Sequence, residues 1–141
     1  MSEEILVING PNMDKLGKRD EKIYGKETLE DINIKITNRA EKLGVSVIFF
    51  QSSSEGEMIE KINGTQAQSL IINPAAYTHT SVALRDSLAM FEGDIIEVHL
   101  SNILGREEFR RQSLTASQAT GVISGLGSKG YLLALDYLAG R

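Results

Sequence analysis

Two pairs of residues in this sequence could do acid–base chemistry. Glu97 and His99 stand two positions apart in an apolar run, so on a strand both side chains point to the same face. A carboxylate there can orient an imidazole or favour its charged form, although such pairs can also be purely structural. Arg19 and Tyr24 share one polar segment. Tyrosine titrates at a pH of about 10, and a nearby guanidinium favours the tyrosinate that could act as a base; from this pair alone, a tyrosine in a surface loop is the better explanation.

Neutral hydrogen-bonding residues follow the apolar runs of the sequence. Amides and hydroxyls suit a ligand with several hydroxyl or carbonyl groups, and an arginine suits a carboxylate. Singly, each of these residues is equally typical of a turn, but their convergence on one edge of a sheet favours a binding site. The neutral candidates are Asn9, Asn12, Gln51, residues 52–55, Asn73, Tyr77, His79, His99, Ser101 and Asn102, and the candidate carboxylate ligands are Arg19, Arg106 and Arg110.

Several other classes of site are excluded or disfavoured. The chain has no Cys and two His, which excludes thiolate sites and leaves little for a histidine-rich metal site. Residues 125–130 match G-x-G-x-x-G, but the dinucleotide motif also needs a following strand with an acidic residue, so we expect a packing turn. The net charge of −4 argues against nucleic-acid binding. We therefore expect no metal and no nucleic-acid partner, and no dinucleotide at residues 125–130.

Continuous apolar runs predict the strands. Such runs are typical of strands that are covered on both faces, and hence of a parallel sheet. The carboxyl ends of parallel strands meet at one edge, where ligands bind. The predicted strands are residues 5–8, 45–50, 70–72, 95–100 and, more weakly, 121–123.

Helical spacing fills the intervals between these runs. Thr28 and Asp31 resemble a capping box, and Gly44 is a stop signal for the same helix. The alternation of strands and helices predicts an α/β three-layer sandwich. The predicted helices are residues 29–43, 57–62 (ending before Asn63-Gly64), 81–90 and 131–138, with a weak one between the last two strands.

The chain of 141 residues has the length of one domain, residues 1–141. Residues 10–27 show no clear period and no apolar anchors, which is typical of a functional loop or lid that orders on binding ligand. The acidic start is unlike a signal peptide, and the apolar stretches are too short to span a membrane. We expect a cytoplasmic protein without a membrane partner.

Several groups of motifs run in order over nearly the whole chain. They are Asn9-Gly10-Pro11-Asn12, Leu16-Gly17-Lys18-Arg19 with Tyr24-Gly25, Gln51-Ser52 with Glu55-Gly56-Glu57, Ile72-Asn73-Pro74 with Ala76-Tyr77-Thr78-His79-Thr80-Ser81, and Glu97-Val98-His99-Leu100-Ser101-Asn102 with Arg106-Glu107 and Phe109-Arg110. Together they resemble type II 3-dehydroquinate dehydratase, a small flavodoxin-like enzyme. The resemblance implies a five-stranded parallel sheet of order 2-1-3-4-5. It also implies cofactor-free loss of water from 3-dehydroquinate, giving 3-dehydroshikimate by anti elimination through an enolate.

The resemblance also implies a role for individual residues. Tyr24 would remove the proton next to the ketone, Arg19 would keep Tyr24 ionised, and Asn12 would position a water that stabilises the enolate. His99, oriented by Glu97, would protonate the departing hydroxyl. The residues implied in substrate binding are Asn73, His79 and Arg110 for ring hydroxyls, the backbone N–H groups of Leu100 and Ser101 for the carboxylate, and Asp86, which would reach the site of a neighbouring subunit.

Family members assemble as trimers that build a dodecamer, so the resemblance implies a homo-oligomer. It is compatible with aromatic amino acid biosynthesis by the shikimate pathway and with quinate breakdown. Two other functions remain open at this level: a paralogue that binds a related cyclic hydroxy acid without turnover, and a flavin- or nucleotide-binding flavodoxin-like module. This sequence departs from the usual family residues at Ser53-Ser54, Ala75, Leu104-Gly105, Asp14-Lys15 and Asp20-Glu21.

Overall fold

The protein is a parallel α/β sandwich. The structure, a computed structural model, describes residues 3–18 and 20–141. Within these residues a five-stranded sheet has the order β2-β1-β3-β4-β5, with every neighbouring pair parallel. This confirms the predicted fold class and strand order. The strands are β1 (Glu4–Asn9), β2 (Ser46–Gln51), β3 (Ser69–Asn73), β4 (Asp94–His99) and β5 (Gly121–Ser124).

Helices cover both faces of this sheet. They are α1 (Glu21–Tyr24), α2 (Leu29–Leu43), α3 (Glu55–Gly64), α4 (Val82–Met90) and α5 (Lys129–Gly140). The capping box predicted for α2 is present: the Asp31 backbone N–H donates to Thr28 Oγ1, and the Thr28 N–H donates to Asp31 Oδ2, each at 3.1 Å. Gly44 ends α2 in the left-handed region, at φ 73°. The predicted end of α3 is wrong, because the helix continues through Asn63 and Gly64 and ends before Thr65.

The core has two layers, one on each face of the sheet. Ile5 and Val7 of β1 pack in the layer that includes α2 and α5, whereas Leu6 and Ile8 pack in the layer that includes α3 and α4. Side chains alternate between the faces of a strand, so this burial explains why β1 is apolar throughout. All four side chains are fully buried, and each contributes about 1.5–3 kcal/mol relative to exposure.

Two loop predictions need correction. The segment 10–27 does have apolar anchors, because Met13 and Leu16 are 3% and 2% exposed and belong to the core layer of α2 and α5. Met13 lies in a short 3-10 turn, Met13–Lys15, which turns it toward the core. Between β4 and β5 the described chain forms 3-10 turns instead of the weakly predicted α-helix: Ile103–Gly105, Glu108–Arg110 and Ala116–Gln118.

The glycine-rich segment 125–130 has packing contacts. A Cβ on Gly130 would lie 3.1 Å from Val98 Cγ1 and 3.3 Å from Ile123 Cγ2, so this glycine lets α5 approach β4 and β5 closely. Gly125 has a φ of 92° and lies against Asn102. In the described residues no helix is long and apolar enough to cross a membrane.

Candidate active site

Residues at the carboxyl ends of β1, β3 and β4 line one cavity of about 150 Å³. This is the edge at which the sequence predicted a ligand site. A larger groove, of about 640 Å³, lies near the amino ends of β3 and β4, but of the described residues that line it Glu92 alone is charged. We place the chemistry in the smaller cavity because it concentrates the ionisable residues. The predicted site residues that line it are Asn12, Tyr24, Asn73, His79, His99, Leu100, Ser101, Arg106 and Arg110.

β4 places the Glu97–His99 pair at this cavity. Both side chains point to the same face of the strand, and His99 Nε2 lies 2.8 Å from Glu97 Oε2. Both are buried, at 4% and 1% exposure. A carboxylate oxygen accepts, so Nε2 carries a proton and donates to Glu97. This contact fixes the direction of the imidazole ring.

Tyr24 is the last residue of the one-turn helix α1, and its hydroxyl accepts a hydrogen bond from an arginine. Arg106 Nη1 donates to Tyr24 Oη at 2.8 Å and to Ser101 Oγ at 3.3 Å. The Arg106 guanidinium carbon also lies 5.2 Å from the centre of the Tyr24 ring. From the sequence, Arg106 was predicted only as a carboxylate ligand, and the cation for Tyr24 was assigned to Arg19. Arg19 lies outside the described residues.

A buried hydrogen-bond network holds Asn73 at the end of β3. Tyr131, in the first turn of α5, donates to Asn9 Oδ1 at 2.5 Å and accepts from Asn73 Nδ2 at 3.3 Å. Asn73 Oδ1 accepts from the backbone N–H of Ala75 at 3.0 Å. Burial raises the pKa of the Tyr131 phenol, so this hydroxyl stays protonated and serves as a donor. The sequence pattern does not mark Tyr131 as part of the site, because its helical spacing is that of an ordinary core residue.

His79 ends the turn Ala75–His79 that follows β3. Its Nδ1 lies 2.8 Å from the backbone carbonyl oxygen of Gln112. A carbonyl can only accept, so Nδ1 carries the proton and Nε2 is the ring nitrogen left for a ligand hydroxyl. Ala75, at the start of this turn, has a φ of 54°, which is unusual for a residue with a Cβ.

The remaining predicted residues fall into two groups. Asn12 lines the cavity, and its backbone has a left-handed conformation with a φ of 67°. Arg110 also lines the cavity, and its Nε donates to Glu107 Oε2 at 2.9 Å. Asp86 is instead exposed on α4, where it pairs with Arg85 at 3.6 Å, and it is not among the residues that line the cavity. Among the described residues, no group of three or more His, Asp or Glu side chains is placed to hold a metal ion.

The fold and the cavity define a class of protein. A flavodoxin-like parallel sheet carries, at its ligand-binding edge, a tyrosine paired with arginine and a histidine paired with glutamate, which is the equipment of an acid–base enzyme. Residues 3–139 match the family model described as "Dehydroquinase class II". The chain belongs to the class II dehydroquinase family.

Individual relatives agree with this assignment. The chain is 51% identical over 143 aligned positions to "3-dehydroquinate dehydratase 1" of Ralstonia nicotianae, covering 99% of this chain and 92% of that protein. It is 50% identical to "3-dehydroquinate dehydratase" of Thermotoga neapolitana, covering 96% of this chain and 93% of that protein. The solved structure of a type II dehydroquinase from Propionibacterium acnes has a TM-score of 0.95 and 43% identity, covering 100% of this chain and 99% of that one. These findings confirm the resemblance and do not favour a flavin- or nucleotide-binding module.

Proposed function

We propose that this chain converts 3-dehydroquinate to 3-dehydroshikimate and water without a cofactor, with Tyr24 as the base and His99 as the acid. One observation carries the assignment of roles. Tyr24 and His99 line the same cavity, and each has its own charged partner, Arg106 for Tyr24 and Glu97 for His99.

The first step is removal of the proton next to the ketone. Tyrosinate takes this proton, and the electron pair of the broken C–H bond moves into the ketone to form an enolate. The positive charge of Arg106 stabilises tyrosinate at 2.8 Å, and Arg19 supplies a second cation. Asn12, at the cavity, holds a water on the enolate oxygen. Most of the barrier is lowered by stabilising this developing negative charge.

The second step is loss of the hydroxyl. The enolate electrons return to form the carbon–carbon double bond, the carbon–oxygen bond breaks, and the oxygen leaves as water after taking a proton from His99. Glu97 engages Nε2, so the proton comes from Nδ1. The carboxylate of Glu97 stabilises the imidazolium that precedes this transfer. Tyr24 is left protonated and His99 neutral, and exchange with solvent restores both.

Binding uses the polar groups around these two residues. Asn73 and Nε2 of His79 contact ring hydroxyls, Arg110 contacts a further hydroxyl, and the backbone N–H groups of Leu100 and Ser101 take the carboxylate. The burial of Asn73, at 4% exposure, and its network with Tyr131 support a fixed orientation for its amide. A preformed set of this kind limits the conformational entropy that is lost on binding.

The chain also assembles, in this proposal, as a trimer-based dodecamer in the cytoplasm and serves aromatic amino acid biosynthesis. Exposed apolar side chains on α4 support the assembly: Val82 is 58% and Met90 65% exposed, and Asp86 lies on the same helix. In the assembly Asp86 would reach the site of a neighbouring subunit. Sedimentation velocity tests this, and a monomer at micromolar concentration would contradict it.

The decisive experiment separates proton removal from loss of the hydroxyl. Product formation is followed by the ultraviolet absorbance of the conjugated enone, and exchange of the substrate proton is followed by NMR in deuterated water. Tyr24→Phe should lower turnover by roughly 10²–10⁴-fold and abolish exchange, because it removes the proton acceptor. His99→Ala should lower turnover by a similar factor and leave exchange intact, because the enolate still forms and is reprotonated.

Substrate binding to both variants, measured by calorimetry, is the control for folding and site integrity. Normal turnover by Tyr24→Phe, or equal exchange in the two variants, would show that the roles are wrong. Absence of enone product from the wild-type chain would show that the activity itself is wrong and would favour the inactive-paralogue alternative.

A further inference from the structure

We propose that residues 112–115 form a positioning segment that holds both cavity histidines, and that the Thr115 hydroxyl is a positioning group for the catalytic acid. The segment lies between the 3-10 turns Glu108–Arg110 and Ala116–Gln118. The inference rests on the acid role proposed for His99.

One end of the positioning segment holds Glu97. Thr115 Oγ1 donates to Glu97 Oε1 at 2.5 Å, and Thr115 is fully buried. Ser113 Oγ donates to Glu97 Oε2 at 3.5 Å, and His99 Nε2 donates to the same oxygen at 2.8 Å. Both carboxylate oxygens therefore have donors, and the Thr115 bond on Oε1 directs Oε2 toward His99.

The other end of the segment holds the second histidine. The Gln112 carbonyl accepts from His79 Nδ1 at 2.8 Å, and the Leu114 backbone N–H donates to the Thr78 carbonyl at 2.7 Å. Ser113 Oγ also accepts from the Ala116 backbone N–H at 2.9 Å, which fixes the segment against the turn that follows. The same short segment thus contacts both Glu97, the partner of the proposed acid His99, and His79, which is proposed to bind substrate.

The burial of Glu97 makes the Thr115 bond important. A carboxylate that is 1% exposed has little access to water, so each missing donor leaves an oxygen unpaired in the interior. Without the Thr115 hydroxyl, the carboxylate is free to rotate away from Nε2, and the imidazole loses its fixed direction. Around metal-bound histidines, removing a group that orients the histidine through a carboxylate typically lowers metal affinity or activity by about 10–100-fold. We expect a loss of similar size here.

Thr115→Val removes the hydroxyl and keeps the volume, whereas Thr115→Ser keeps the hydroxyl. We expect kcat of Thr115→Val to fall by roughly 10–100-fold, with KM changed by less than about twofold and with substrate proton exchange near the wild-type rate. Thr115→Ser should recover most of kcat. Thr120→Val is the matched control: Thr120 Oγ1 accepts from the Ile95 N–H at 3.0 Å at the opposite end of β4, so its loss should lower stability and leave kcat unchanged.

Other results would overturn the inference. Wild-type kcat in Thr115→Val shows that the hydroxyl does not position the acid. An equal fall in turnover and exchange, or failure of Thr115→Ser to recover kcat, shows a general structural role. If Thr115→Val does not fold, Thr115→Ala is read by the same criteria. Wild-type turnover in His99→Ala would overturn both the proposed acid and the positioning role. Impaired turnover in His99→Ala together with normal turnover in Thr115→Val would overturn only the positioning role.

Discussion

Arg106 and Tyr24 form a hydrogen bond of 2.8 Å, from Nη1 to the phenol oxygen, across 82 positions of sequence. The Arg106 side chain is 15% exposed, so solvent screens this contact less than it would a surface pair. The tyrosine proposed as the base therefore receives a hydrogen bond from a cation that belongs to the loop after β4.

Arg106→Ala should lower kcat by about tenfold or more, because it removes the cation that donates to the hydroxyl of the proposed base, Tyr24. Arg106→Lys should be intermediate, since lysine keeps the charge but not the planar guanidinium that lies beside the Tyr24 ring. Arg111→Ala, at the exposed neighbouring turn, is the control; a wild-type kcat in Arg106→Ala would contradict the role proposed for Arg106.

Ala75→Gly should stabilise the protein by about 0.5–1 kcal/mol. Ala75 has a φ of 54°, a conformation that costs an L residue about 1–2 kcal/mol and that glycine adopts without this strain. Glycine loses more backbone entropy on folding, which cancels about 0.5–1 kcal/mol of the relieved strain. Ala76→Gly, in the same turn, is the matched control and should destabilise by a similar amount. Urea unfolding of the three proteins measures both effects, and a less stable Ala75→Gly would show that the Ala75 methyl packing outweighs the backbone strain.

Asn12→Gly and Asn12→Ala separate the amide from the backbone it occupies. Asn12 has a φ of 67°, which glycine adopts freely and alanine does not. Both variants should lose turnover, because both lose the amide proposed to hold a water on the enolate, and Asn12→Ala should in addition be less stable by about 1 kcal/mol. Wild-type kcat in Asn12→Gly would mean that the residue only shapes the turn.

Tyr131→Phe should destabilise the protein by about 1–3 kcal/mol and raise KM more than it lowers kcat. Asn9, which is 2% exposed, loses the hydroxyl that donates to its Oδ1. Asn73 loses the phenol oxygen that accepts from its Nδ2. Denaturant unfolding and Michaelis kinetics measure the two effects. Tyr137→Phe, on the exposed face of the same helix, should change neither; equal behaviour of the two variants would contradict the network.

Glu27→Gln should reduce stability at neutral pH and have little effect in acid. The pKa of Glu27 is lowered first by its bond with Lys35 and then by Ser128, whose hydroxyl donates to Oε1 at 2.7 Å. A depressed folded pKa adds stability that is present above the ordinary value near 4.5 and is lost as the pH falls through the folded value. The side chain is 35% exposed, so screening keeps the effect below about 1 kcal/mol. Urea unfolding at pH 7 and at pH 3 measures this effect. The difference in free energy of unfolding between variant and wild type should be smaller at pH 3, and an equal difference at both pH values would contradict the linkage.

Local chemistry in the sequence determined the fold of this protein. The continuous apolar runs require a sheet covered on both faces, and Ile5, Leu6, Val7 and Ile8 alternate between the two core layers as that requires. The capping box at Thr28 begins α2 within one turn of backbone. The Glu97–His99 contact also follows locally, because residues two apart on a strand share a face. Each of these properties depends on neighbours within a few positions.

Only the tertiary structure decided which distant groups meet. Met13 and Leu16 become core residues because a 3-10 turn presents them to α2 and α5, and no period in the sequence marks that turn. Arg106 reaches Tyr24, and Thr115 reaches Glu97, from segments without regular spacing. Hydrogen bonds between such segments depend on the packed positions of whole loops, since the same side chains could equally be solvated in an exposed turn. Residue types and periods therefore determined the sheet and the edge where the cavity lies, while packing selected the partners of Tyr24 and Glu97.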